Sequence, residues 1–412
     1  MLKTELLEIL ANGENSGIEF KRDDIRPEQL AKEIVALVNF RGGRIILGAE
    51  DNGEVTGIQR PNLEEWVMNI FANNVHPWIQ PFYEEIHLDE NHRLAVITIE
   101  QGASKPYVRV HNSIHEVFIR MGTTSRTASR EQQASLFQSG GLLHAEVLPV
   151  PGSSFSHLDE QRLKDYLRNI LNEPELPDSD ESWIQRLSGL GLMTEGVSQA
   201  VCTLAGLLLF GSSPRRLLRQ AGVRLMVFDG DDKTYNAILD EALDNPMVGK
   251  WEMNQGQRTI NEQGFGLIER LLDKMTPFIS QDDLAEGGLH RQRQWDYPSN
   301  AIREALINAI VHRDWTRPLD IEISIYSDRL EIISPGAMQN SMTVEKMLAG
   351  QRSPRNTIIV EIMRDYGYVE ARGMGVRTKL VPLMREQNGR DPEFEATDDY
   401  LKTVLYRRDT SV

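Results

Sequence analysis

The sequence has only one cysteine and no long apolar run. Its single cysteine, Cys202, excludes an intramolecular disulfide bond and a zinc site built on paired cysteines. No segment approaches the roughly 18 consecutive apolar residues of a membrane helix, and residues 1–5 lack the apolar segment of a signal peptide. We therefore expect a cytoplasmic protein that does not bind a membrane.

Positive charge is also scarce, because 45 Lys and Arg stand against 61 Asp and Glu, a net charge of -16. A chain this acidic is repelled by nucleic acid unless its basic side chains gather on one surface. Between residues 104 and 130, however, five cations against one anion, Glu116, leave a local charge of +4. The cations are Lys105, Arg109, Arg120, Arg126 and Arg130. Charge alone fits either an ordinary solvated surface or a surface that binds phosphate groups.

The length of 412 residues exceeds that of one ordinary domain, so at least two cores are expected. Two prolines, one glycine and two serines fall within residues 149–154, which is typical of a linker. The predicted organisation is an α+β domain at 1–145, a middle region of mixed helices and strands at 155–290, and a third domain at 295–412. The two helices of the middle region are either plain packing elements or a winged-helix DNA-binding pair.

Hydrophobic periodicity predicts the elements of each region. Helices are predicted at 27–40, from 129 onward, and at 158–172, 182–192, 298–312, 356–366 and 376–384. Strands are predicted at 44–49, 54–58, 83–88, 94–99, 107–110, 116–120, 205–210, 223–228, 321–325 and 330–333. The fold class that follows is multidomain α+β.

Two carboxylates five residues apart, Glu14 and Glu19, precede Lys21 on a predicted strand. Because strand side chains alternate between faces, Glu19 and Lys21 point to the same side. Asp51, with Glu50 beside it, follows the next strand. Three carboxylates can hold Mg²⁺ or Mn²⁺ for phosphodiester hydrolysis, with Lys21 neutralising the developing charge. Alone, the pattern fits equally a salt-bridged pair on a solvent-facing strand.

Several motifs together resemble the Schlafen-type AlbA domain over residues 1–140. They are residues 14–21 (ENSGIEFK), 38–43 (VNFRGG), 47–51 (LGAED), 105–107 (KPY) and 119–122 (IRMG). In nuclease members of this family, two glutamates and a later aspartate form the active site. By position these are Glu14, Glu19 and either Glu50 or Asp51, of which Asp51 is favoured.

The same family includes proteins described as transcriptional regulators, so the resemblance implies nucleic-acid binding with or without cleavage. The basic segment between residues 104 and 130 then gains a specific interpretation. Tyr107 and Phe118 lie among its cations, where aromatic rings can stack bases while the cations contact phosphates. The sequence leaves open whether the nucleic acid is RNA or DNA.

Glu304 and Asn308 lie four residues apart on the predicted helix 298–312 and therefore share one face. A carboxylate and an amide so placed can polarise a water molecule and hold Mg²⁺ beside a triphosphate. The pair alone fits equally an amphipathic helix with ordinary polar positions. His312 is placed either to contact a phosphate or to cap the end of this helix through its dipole, and the cap is favoured.

Three segments of the third domain resemble a divergent Bergerat-type ATPase, of the superfamily that joins gyrase, a heat-shock chaperone and the histidine kinases. They are residues 303–314 (REALINAIVHRD), 333–336 (ISPG) and 370–376 (EARGMGV). The resemblance implies an α/β sandwich in which Glu304 activates water and Asn308 binds Mg²⁺. Gly373 and Gly375 would offer backbone N–H groups to the phosphates of ATP.

Gly336 lies in a Ser-Pro-Gly turn at the place where typical members of that superfamily carry Asp-x-Gly-x-Gly. The aspartate of the typical turn recognises the adenine amino group. The chain has no P-loop motif, so ATP is expected to act as a switch and not to drive a helicase motor.

The predicted function is a metal-dependent nuclease that an ATP-binding domain regulates, in antiphage defence or stress response. One alternative is a non-enzymatic, ATP-responsive DNA-binding transcriptional regulator. Another is an interaction scaffold in which both sites are vestigial. Both resembled families often work as dimers, so a homo-oligomer is expected.

Overall fold

The computed structural model divides the chain into two compact units, unit 1 (Met1–Leu143) and unit 2 (His144–Val412). It describes residues 1–408 apart from 90–91, 141–143, 198, 255–256, 285–290, 340–341, 352 and 371–373. Within these ranges, no helix is long and apolar enough to cross a membrane. Both units mix helices and strands, which confirms the predicted multidomain α+β class.

Unit 1 places helices on a small mixed sheet. Its helices are α1 (Lys3–Asn12), α2 (Pro27–Asn39), α3 (Leu63–Asn74) and α4 (Arg130–Ser139). Its strands are β1 (Ile18–Lys21), β2 (Gly43–Leu47), β3 (Val75–His76), β4 (Phe82–His87), β5 (Arg93–Ile99), β6 (Val108–His111), β7 (Ile114–Glu116), β8 (Phe118–Met121) and β9 (Thr124–Thr127). The main sheet has the order β1-β2-β5-β4, with β1 parallel to β2 and the other pairs antiparallel.

Helix α2 is largely buried, with nine of its 13 residues in the interior of unit 1. Pro27 stands in its first turn, where a fixed φ and a missing N–H cost nothing. The helix ends as Gly42 donates its N–H to the Leu37 carbonyl at 2.9 Å. Gly42 has a φ of 78°, and a Cβ there would lie 2.4 Å from the Ile99 carbonyl oxygen. This close approach requires glycine and lets β2 start directly after the helix.

The parallel pairing of β1 and β2 explains how distant residues meet. Lys21, at the end of β1, lies opposite Leu47, at the end of β2. Parallel strands end at the same edge of a sheet. The chain that leaves β2 therefore carries Asp51 to the edge where Glu19 and Lys21 already lie.

Most elements predicted for unit 1 are observed. Helix 27–40 and strands 44–49, 83–88 and 94–99 agree with the structure to within two residues at each end. The strand predicted at 54–58 is instead a loop with one bridge, between Ala49 and Val55. Helix α3 was not predicted, although its buried residues recur at helical spacing.

Unit 2 contains the remaining elements. Its helices are α5 (Glu160–Asp165), α6 (Asp180–Gly189), α7 (Leu204–Phe210), α8 (Leu267–Ile279), α9 (Ser299–Val311), α10 (Val344–Leu348), α11 (Thr357–Asp365) and α12 (Val381–Asn388). Its strands are β10 (Met193–Thr194), β11 (Val201–Cys202), β12 (Val223–Val227), β13 (Leu239–Leu243), β14 (Glu252–Asn254), β15 (Gln257–Thr259), β16 (Ser280–Leu284), β17 (Arg291–Trp295), β18 (Ile321–Ile325), β19 (Arg329–Pro335), β20 (Glu393–Ala396) and β21 (Tyr400–Tyr406).

One six-stranded sheet joins the predicted middle region to the predicted third domain. Its order is β13-β12-β18-β19-β21-β20, and β12 runs parallel to β18 from Val223 opposite Ile321 to Val227 opposite Ile325. Side chains from both regions share one hydrophobic core. Residues 155–290 and 295–412, which the sequence predicts as separate regions, therefore form a single compact unit because they complete the same sheet.

The segment predicted as a linker, residues 149–154, is packed into unit 2. The hydroxyl of Ser153 is buried, donates to the Val150 carbonyl at 2.6 Å and accepts the N–H of Cys202 at 2.8 Å. Its turn-forming residues make a tight bend here, in which Ser153 donates its N–H to the Val150 carbonyl and Val150 donates its N–H to the Cys202 carbonyl. A composition rich in proline, glycine and serine predicts a turn, which is not always a domain boundary.

The strand predicted at 205–210 is helix α7 in the structure. The helix begins after Thr203, whose hydroxyl accepts the N–H of Gly206 at 3.1 Å and caps the first turn. Every residue of α7 is buried. Because all its faces are apolar, the run carries no period that distinguishes a helix from a buried strand.

Candidate functional site

A cluster of charged side chains forms at the edge of the sheet in unit 1 where β1 and β2 end. The Lys21 ammonium nitrogen lies 2.8 Å from Glu19, 3.0 Å from Asp51 and 3.6 Å from Glu14. Glu14 is fixed by a second contact, since its Oε1 accepts the backbone N–H of Phe20 at 2.9 Å. The three predicted catalytic carboxylates thus converge on one point, and the Lys21 ammonium group occupies that point. We call these four side chains the Lys21 cluster.

Behind the Lys21 cluster lies a buried pair that sequence reasoning did not place there. Arg120 Nη1 lies 2.5 Å from Glu19 Oε2 and 3.4 Å from Glu33 Oε2. The hydroxyl of Ser125 also donates to Glu33. Glu33 was missed altogether. Its position could have indicated burial, because Glu33 follows Leu30 by three residues and is a carboxylate on the otherwise apolar face of α2.

Burial and neighbouring charges shift the pKa values of this cluster. Burial raises the pKa of Glu19, and the hydrogen bond from Lys21 offsets only part of that effect. For Lys21, burial acts to lower the pKa, but Glu19, Asp51 and Glu14 together raise it above its ordinary value. Lys21 is therefore charged across the physiological range. In the described part of the chain, no group of three acidic, imidazole or thiol side chains is arranged to hold a metal ion.

Three of the residues predicted to contact nucleic acid are buried. Lys105 donates from its ammonium group to the Phe40 carbonyl at 2.8 Å. Tyr107 is 4% exposed, and its N–H is bonded to the Asn39 side-chain oxygen at 2.8 Å. Arg120 exposes none of its side chain. The prediction that these three side chains contact nucleic acid is therefore wrong, because each is part of the interior of unit 1.

The other predicted cations remain nearer the surface. Arg109 is ion-paired with Glu116, and its guanidinium lies 4.9 Å from the centre of the Phe118 ring. Arg126 and Arg130 are both exposed. The basic segment therefore presents two exposed cations, and Phe118 is a buried support for Arg109 and not a platform for bases.

Unit 2 contains a cavity of about 320 Å³ along one face of α9. Four predicted nucleotide-binding residues line it: Glu304, Asn308, Gly336 and Gly375. Gly373, the fifth, lies outside the described residues. The structure thus brings together α9, the turn after β19 and the start of the helical segment Val376–Leu380, which are distant in the sequence.

At one end of the cavity, Glu304 and Asn308 contact each other. The Asn308 amide donates to Glu304 Oε1 at 2.9 Å and to the Glu304 carbonyl at 2.8 Å. Burial raises the pKa of Glu304, and the hydrogen bond from Asn308 opposes that rise. A Cβ at position 375 would overlap the Glu304 carboxylate, so any residue other than glycine would force that side chain to move. A half-buried carboxyl group with a raised pKa is suited to hold or accept a proton.

The predicted adenine-recognition turn has different chemistry. The Ser334 hydroxyl donates its proton to the Ala309 carbonyl at 2.7 Å, so that proton is not available to a ligand. Gly336 has a φ of 113°. A Cβ at that position would meet the Asp314 side chain at 2.4 Å. The turn therefore lies too close to the loop after α9 for any residue but glycine.

His312 occupies the C-terminal cap of α9, as predicted, with its N–H donated to the Asn308 carbonyl. Its imidazole also lines the cavity. The His312 side chain is nevertheless exposed to solvent. Its interaction with the helix dipole stays a prediction.

The cavity also contains an arginine that sequence reasoning missed. Arg355 is 4% exposed and lines the cavity. Its Nη2 donates to the Ala337 carbonyl at 2.6 Å, and its Nη1 lies 3.6 Å from Asp314 Oδ2. Nε and Nη1 make no hydrogen bond to the described residues. An Arg-Asn pair before a helix is the sequence signal, but the partners of Arg355, Asp314 and Ala337, belong to other segments of the chain and only the fold brings them together.

Comparison with known proteins supports this division of the chain. The family model "Schlafen, AlbA_2" matches residues 14–129. The model "Putative ATP-dependent DNA helicase recG C-terminal" matches residues 319–405. The two matches lie within the first and the third of the predicted domains, residues 1–145 and 295–412. The Schlafen match covers the whole Lys21 cluster, whereas the second match includes Gly336, Arg355 and Gly375 but begins after α9.

Two solved structures show a distant likeness. The DIP2311 protein from Corynebacterium diphtheriae is 21% identical, with 95% of this chain and 75% of that chain covered and a TM-score of 0.45. The N-terminal domain of "Putative ATP-dependent DNA Helicase RecG-related Protein" from Nitrosomonas europaea is 19% identical, with 31% and 91% covered and a TM-score of 0.24. No curated protein matches the chain.

Proposed function

We propose that this protein acts on nucleic acid as a metal-dependent phosphodiesterase whose activity responds to a nucleotide bound in unit 2. The observation that carries the proposal is the convergence of Glu14, Glu19 and Asp51 on one point at the edge of the sheet. These residues come from a loop, a strand and a second loop, so their meeting is a product of the whole fold.

The charge balance of the cluster supports a role for a divalent cation. The Lys21 cluster and its neighbours have four carboxylates, counted as ionised, and three cations, which leave a formal charge of -1. The acids are Glu14, Glu19, Glu33 and Asp51, and the bases are Lys21, Arg120 and Lys32. A net negative site repels a phosphodiester, whereas a divalent ion would reverse the sign of the charge.

The donor set fits Mg²⁺ or Mn²⁺, which favour carboxylate oxygens. Glu14, Glu19 and Asp51 would hold the ion once the Lys21 ammonium group, which lies between them in the structure, moves aside. Such an ion lowers the pKa of a bound water and stabilises charge on a phosphoryl group. The protein's own contribution is the ammonium group of Lys21, which is positively charged and lies near all three carboxylates. That charge is placed to neutralise negative charge on a bound phosphate.

Unit 2 is proposed to bind a nucleoside triphosphate, with ATP as the expected ligand. Support comes from the cavity along α9, with Glu304 and Asn308 at one end, and from the matched family, whose description refers to an ATP-dependent helicase. In this proposal Asn308 binds Mg²⁺ and Glu304 handles a proton at the phosphate end. The nucleotide acts as a switch for unit 1, in antiphage defence or stress response.

A second candidate is a nucleotide-responsive, DNA-binding transcriptional regulator without catalysis. One observation favours it: both oxygens of Glu19 are already paired, one with Lys21 and one with Arg120. A carboxylate so engaged stabilises the fold without metal. In this case unit 1 would bind nucleic acid through exposed cations such as Arg126 and Arg130.

A cleavage assay separates the two candidates. Purified protein is incubated with labelled transfer RNA, single-stranded DNA and duplex DNA, with Mg²⁺ or Mn²⁺, with and without ATP. We expect metal-dependent cleavage that Glu19→Gln and Asp51→Asn abolish. Glu50→Gln is the matched control, because Glu50 pairs with Arg22 outside the cluster and its loss should leave cleavage intact. Binding without cleavage under every condition would overturn the nuclease proposal in favour of the regulator.

A further inference from the structure

The ammonium group of Lys21 is surrounded by oxygen atoms of the kind that bind a divalent ion. Its nitrogen lies 2.8 Å from Glu19, 3.0 Å from Asp51 and 3.6 Å from Glu14. The same nitrogen donates to the Phe20 carbonyl at 2.6 Å. Carboxylate and carbonyl oxygens are the ligands that hard divalent cations take. The protein therefore places one positive charge of its own among donors that suit an ion with two.

The acids around Lys21 differ in how firmly the fold holds them. The Glu19 side chain is 5% exposed, and its second oxygen lies 2.5 Å from Arg120 Nη1. Glu14 accepts a backbone N–H group of β1 at 2.9 Å. By contrast, the Asp51 side chain is 76% exposed and that of Lys21 is 23% exposed. The ammonium group can therefore leave on the solvent side while the two buried acids stay in place.

An ammonium group that leaves the cluster needs another anion, because it keeps its charge. Within the described ranges, every ion pair of Lys21 is with an acid of the Lys21 cluster. Departure into solvent alone would give up all three of these contacts. A phosphate group that reaches the open side supplies a replacement, since lysine binds phosphate as a compact point charge. Nucleic acid, the substrate proposed above, carries such a group at every nucleotide.

The formal charge of the site favours two ligands together over either one alone. The Lys21 cluster and its neighbours Glu33, Arg120 and Lys32 carry a charge of -1. A divalent ion alone would leave +1, with the ammonium group beside the ion. A phosphodiester alone would leave -2. The two together leave no net charge, and transfer of the ammonium group to the phosphate separates it from the ion.

We propose that Lys21 exchanges partners between the three carboxylates and the nucleic acid, so that a divalent ion and a phosphate group bind cooperatively. In the free protein, the ammonium group holds the carboxylates together and weakens binding of the ion. A bound phosphate draws the ammonium group away and frees the carboxylates. The exchange replaces ionic contacts and transfers no proton. The proposal rests on the nuclease site proposed above and specifies how the substrate regulates that site.

The first test measures Mn²⁺ binding to the full chain, so its readout is independent of cleavage. Electron paramagnetic resonance determines free Mn²⁺ with and without a short single-stranded DNA or RNA whose phosphorothioate linkages resist hydrolysis. Binding of Mn²⁺ to the oligonucleotide alone is subtracted. We expect the bound oligonucleotide to tighten Mn²⁺ binding by about tenfold, within the range typical of coupled sites. Equal Mn²⁺ affinity with and without bound oligonucleotide would overturn the proposal.

The reciprocal measurement checks the same coupling from the other ligand. Two coupled binding equilibria must affect each other by the same factor. Mn²⁺ should therefore tighten oligonucleotide binding by about tenfold, which fluorescence anisotropy of a labelled oligonucleotide measures. Tighter Mn²⁺ binding without this reciprocal effect would show that the added Mn²⁺ binds elsewhere, against the proposal.

The second test assigns the coupling to Lys21. Lys21→Met should bind Mn²⁺ more tightly than the wild type without nucleic acid, and the oligonucleotide should then add less than about threefold. A gain in Mn²⁺ affinity does not result from misfolding, and circular dichroism verifies the fold. A coupling factor in Lys21→Met that equals the wild-type factor would refute the assignment.

Lys32→Met is the matched control, because it removes the same charge at a neighbouring position. Lys32 pairs with Glu33 at 3.6 Å and does not contact the three carboxylates around Lys21. This variant should keep the coupling of about tenfold. Equal loss of coupling in both variants would show that total charge, and not the position of Lys21, causes the effect.

The outcomes separate this inference from the proposal beneath it. Metal-dependent cleavage with independent binding of Mn²⁺ and oligonucleotide keeps the nuclease and rejects the exchange. Cooperative binding that Lys21→Met abolishes, without cleavage under any condition, supports the exchange and rejects the nuclease. Failure of Mn²⁺ and of both oligonucleotides to bind the folded wild-type protein rejects both.

Discussion

At the scale of single residues, Lys21 is the centre of the candidate site in unit 1. Replacing it with methionine removes the cation that three carboxylates share, so their mutual repulsion should lower the free energy of unfolding by about 2–3 kcal/mol without metal. Mn²⁺ should restore more stability in Lys21→Met than in the wild type, because the ion no longer competes with an ammonium group. Thermal unfolding with and without Mn²⁺ measures both effects.

Lys32→Met is the matched control for that experiment. Lys32 pairs with Glu33 at 3.6 Å but does not contact the three converging carboxylates. Its loss should have a small effect that Mn²⁺ does not reverse. Equal stabilisation of both variants by Mn²⁺ would contradict the assignment of the metal site to the Lys21 cluster.

Glu304 gives a pH-dependent prediction in unit 2. Its folded-state pKa is raised above the ordinary value of 4.5, mainly by burial, so the folded state binds a proton more tightly than the unfolded state. The carboxyl group therefore stabilises the fold at low pH and loses that contribution as the pH rises through its folded pKa. Glu304→Gln should match the wild type near pH 4 and exceed its stability at pH 8. Urea unfolding at both pH values measures this, and a more stable wild type at pH 8 would contradict it.

At the scale of elements, the start of α11 depends on a residue more than 200 positions earlier. Glu146 is fully buried and accepts the N–H groups of Ile358 and Ile359 at 3.0 Å and the hydroxyl of Thr357 at 3.1 Å. Glu146→Ala should cost about 2–3 kcal/mol, since it removes a cap and leaves buried donors unpaired. Urea unfolding measures the loss. Glu345→Ala, which removes an exposed acid from the first turn of α10, should cost less than about 0.5 kcal/mol.

The contact between Gly375 and Glu304 predicts coupling between two elements. Gly375→Ala places a methyl group where the Glu304 carboxylate lies, so it should destabilise unit 2 and weaken nucleotide binding. Glu304→Ala frees that space. The double variant should therefore be more stable than the sum of the two single effects, by about 1–2 kcal/mol in a double-mutant cycle. Additive effects would show that the two residues do not meet in solution.

The elements differ in how well the sequence predicts them, and the reason is their surroundings. Helices α2 and α9 carry periodic apolar positions and start signals at Pro27 and Pro298, and both are predicted to within two residues. Helix α7 is buried on every side, so its apolar run has no helical period. Whether a run such as 205–210 is a helix or a strand depends on neighbours that lie far away in the sequence.

At the scale of the whole molecule, two compact units predict two separable unfolding transitions. Calorimetry of the full chain should show both. A nucleotide bound in unit 2 should raise the temperature of one transition, and Mn²⁺ bound in unit 1 should raise the other, because a ligand stabilises the part that binds it. A single transition that both ligands shift equally would contradict the division.

The candidate sites were predictable where local spacing determines them. Glu19 with Lys21 and Glu304 with Asn308 lie close together in the sequence, and the structure keeps both pairs in contact. Arg120 was expected at the surface, yet it is buried against Glu19 across 101 positions. When two charged residues far apart in the sequence pair and become buried, the local composition around each is unchanged. Arg355 could not be predicted for the same reason.

The sharing of one sheet by residues 223–243 and 321–406 has a practical consequence for anyone who studies the C-terminal part of unit 2 in isolation. A fragment that starts at residue 295 would lack β12, and the edge of β18 would then present unpaired N–H and C=O groups beside an apolar face. Such an edge invites pairing with other copies and aggregation. A fragment that starts at residue 144 keeps the edge covered and is the one we expect to remain in solution as a monodisperse species.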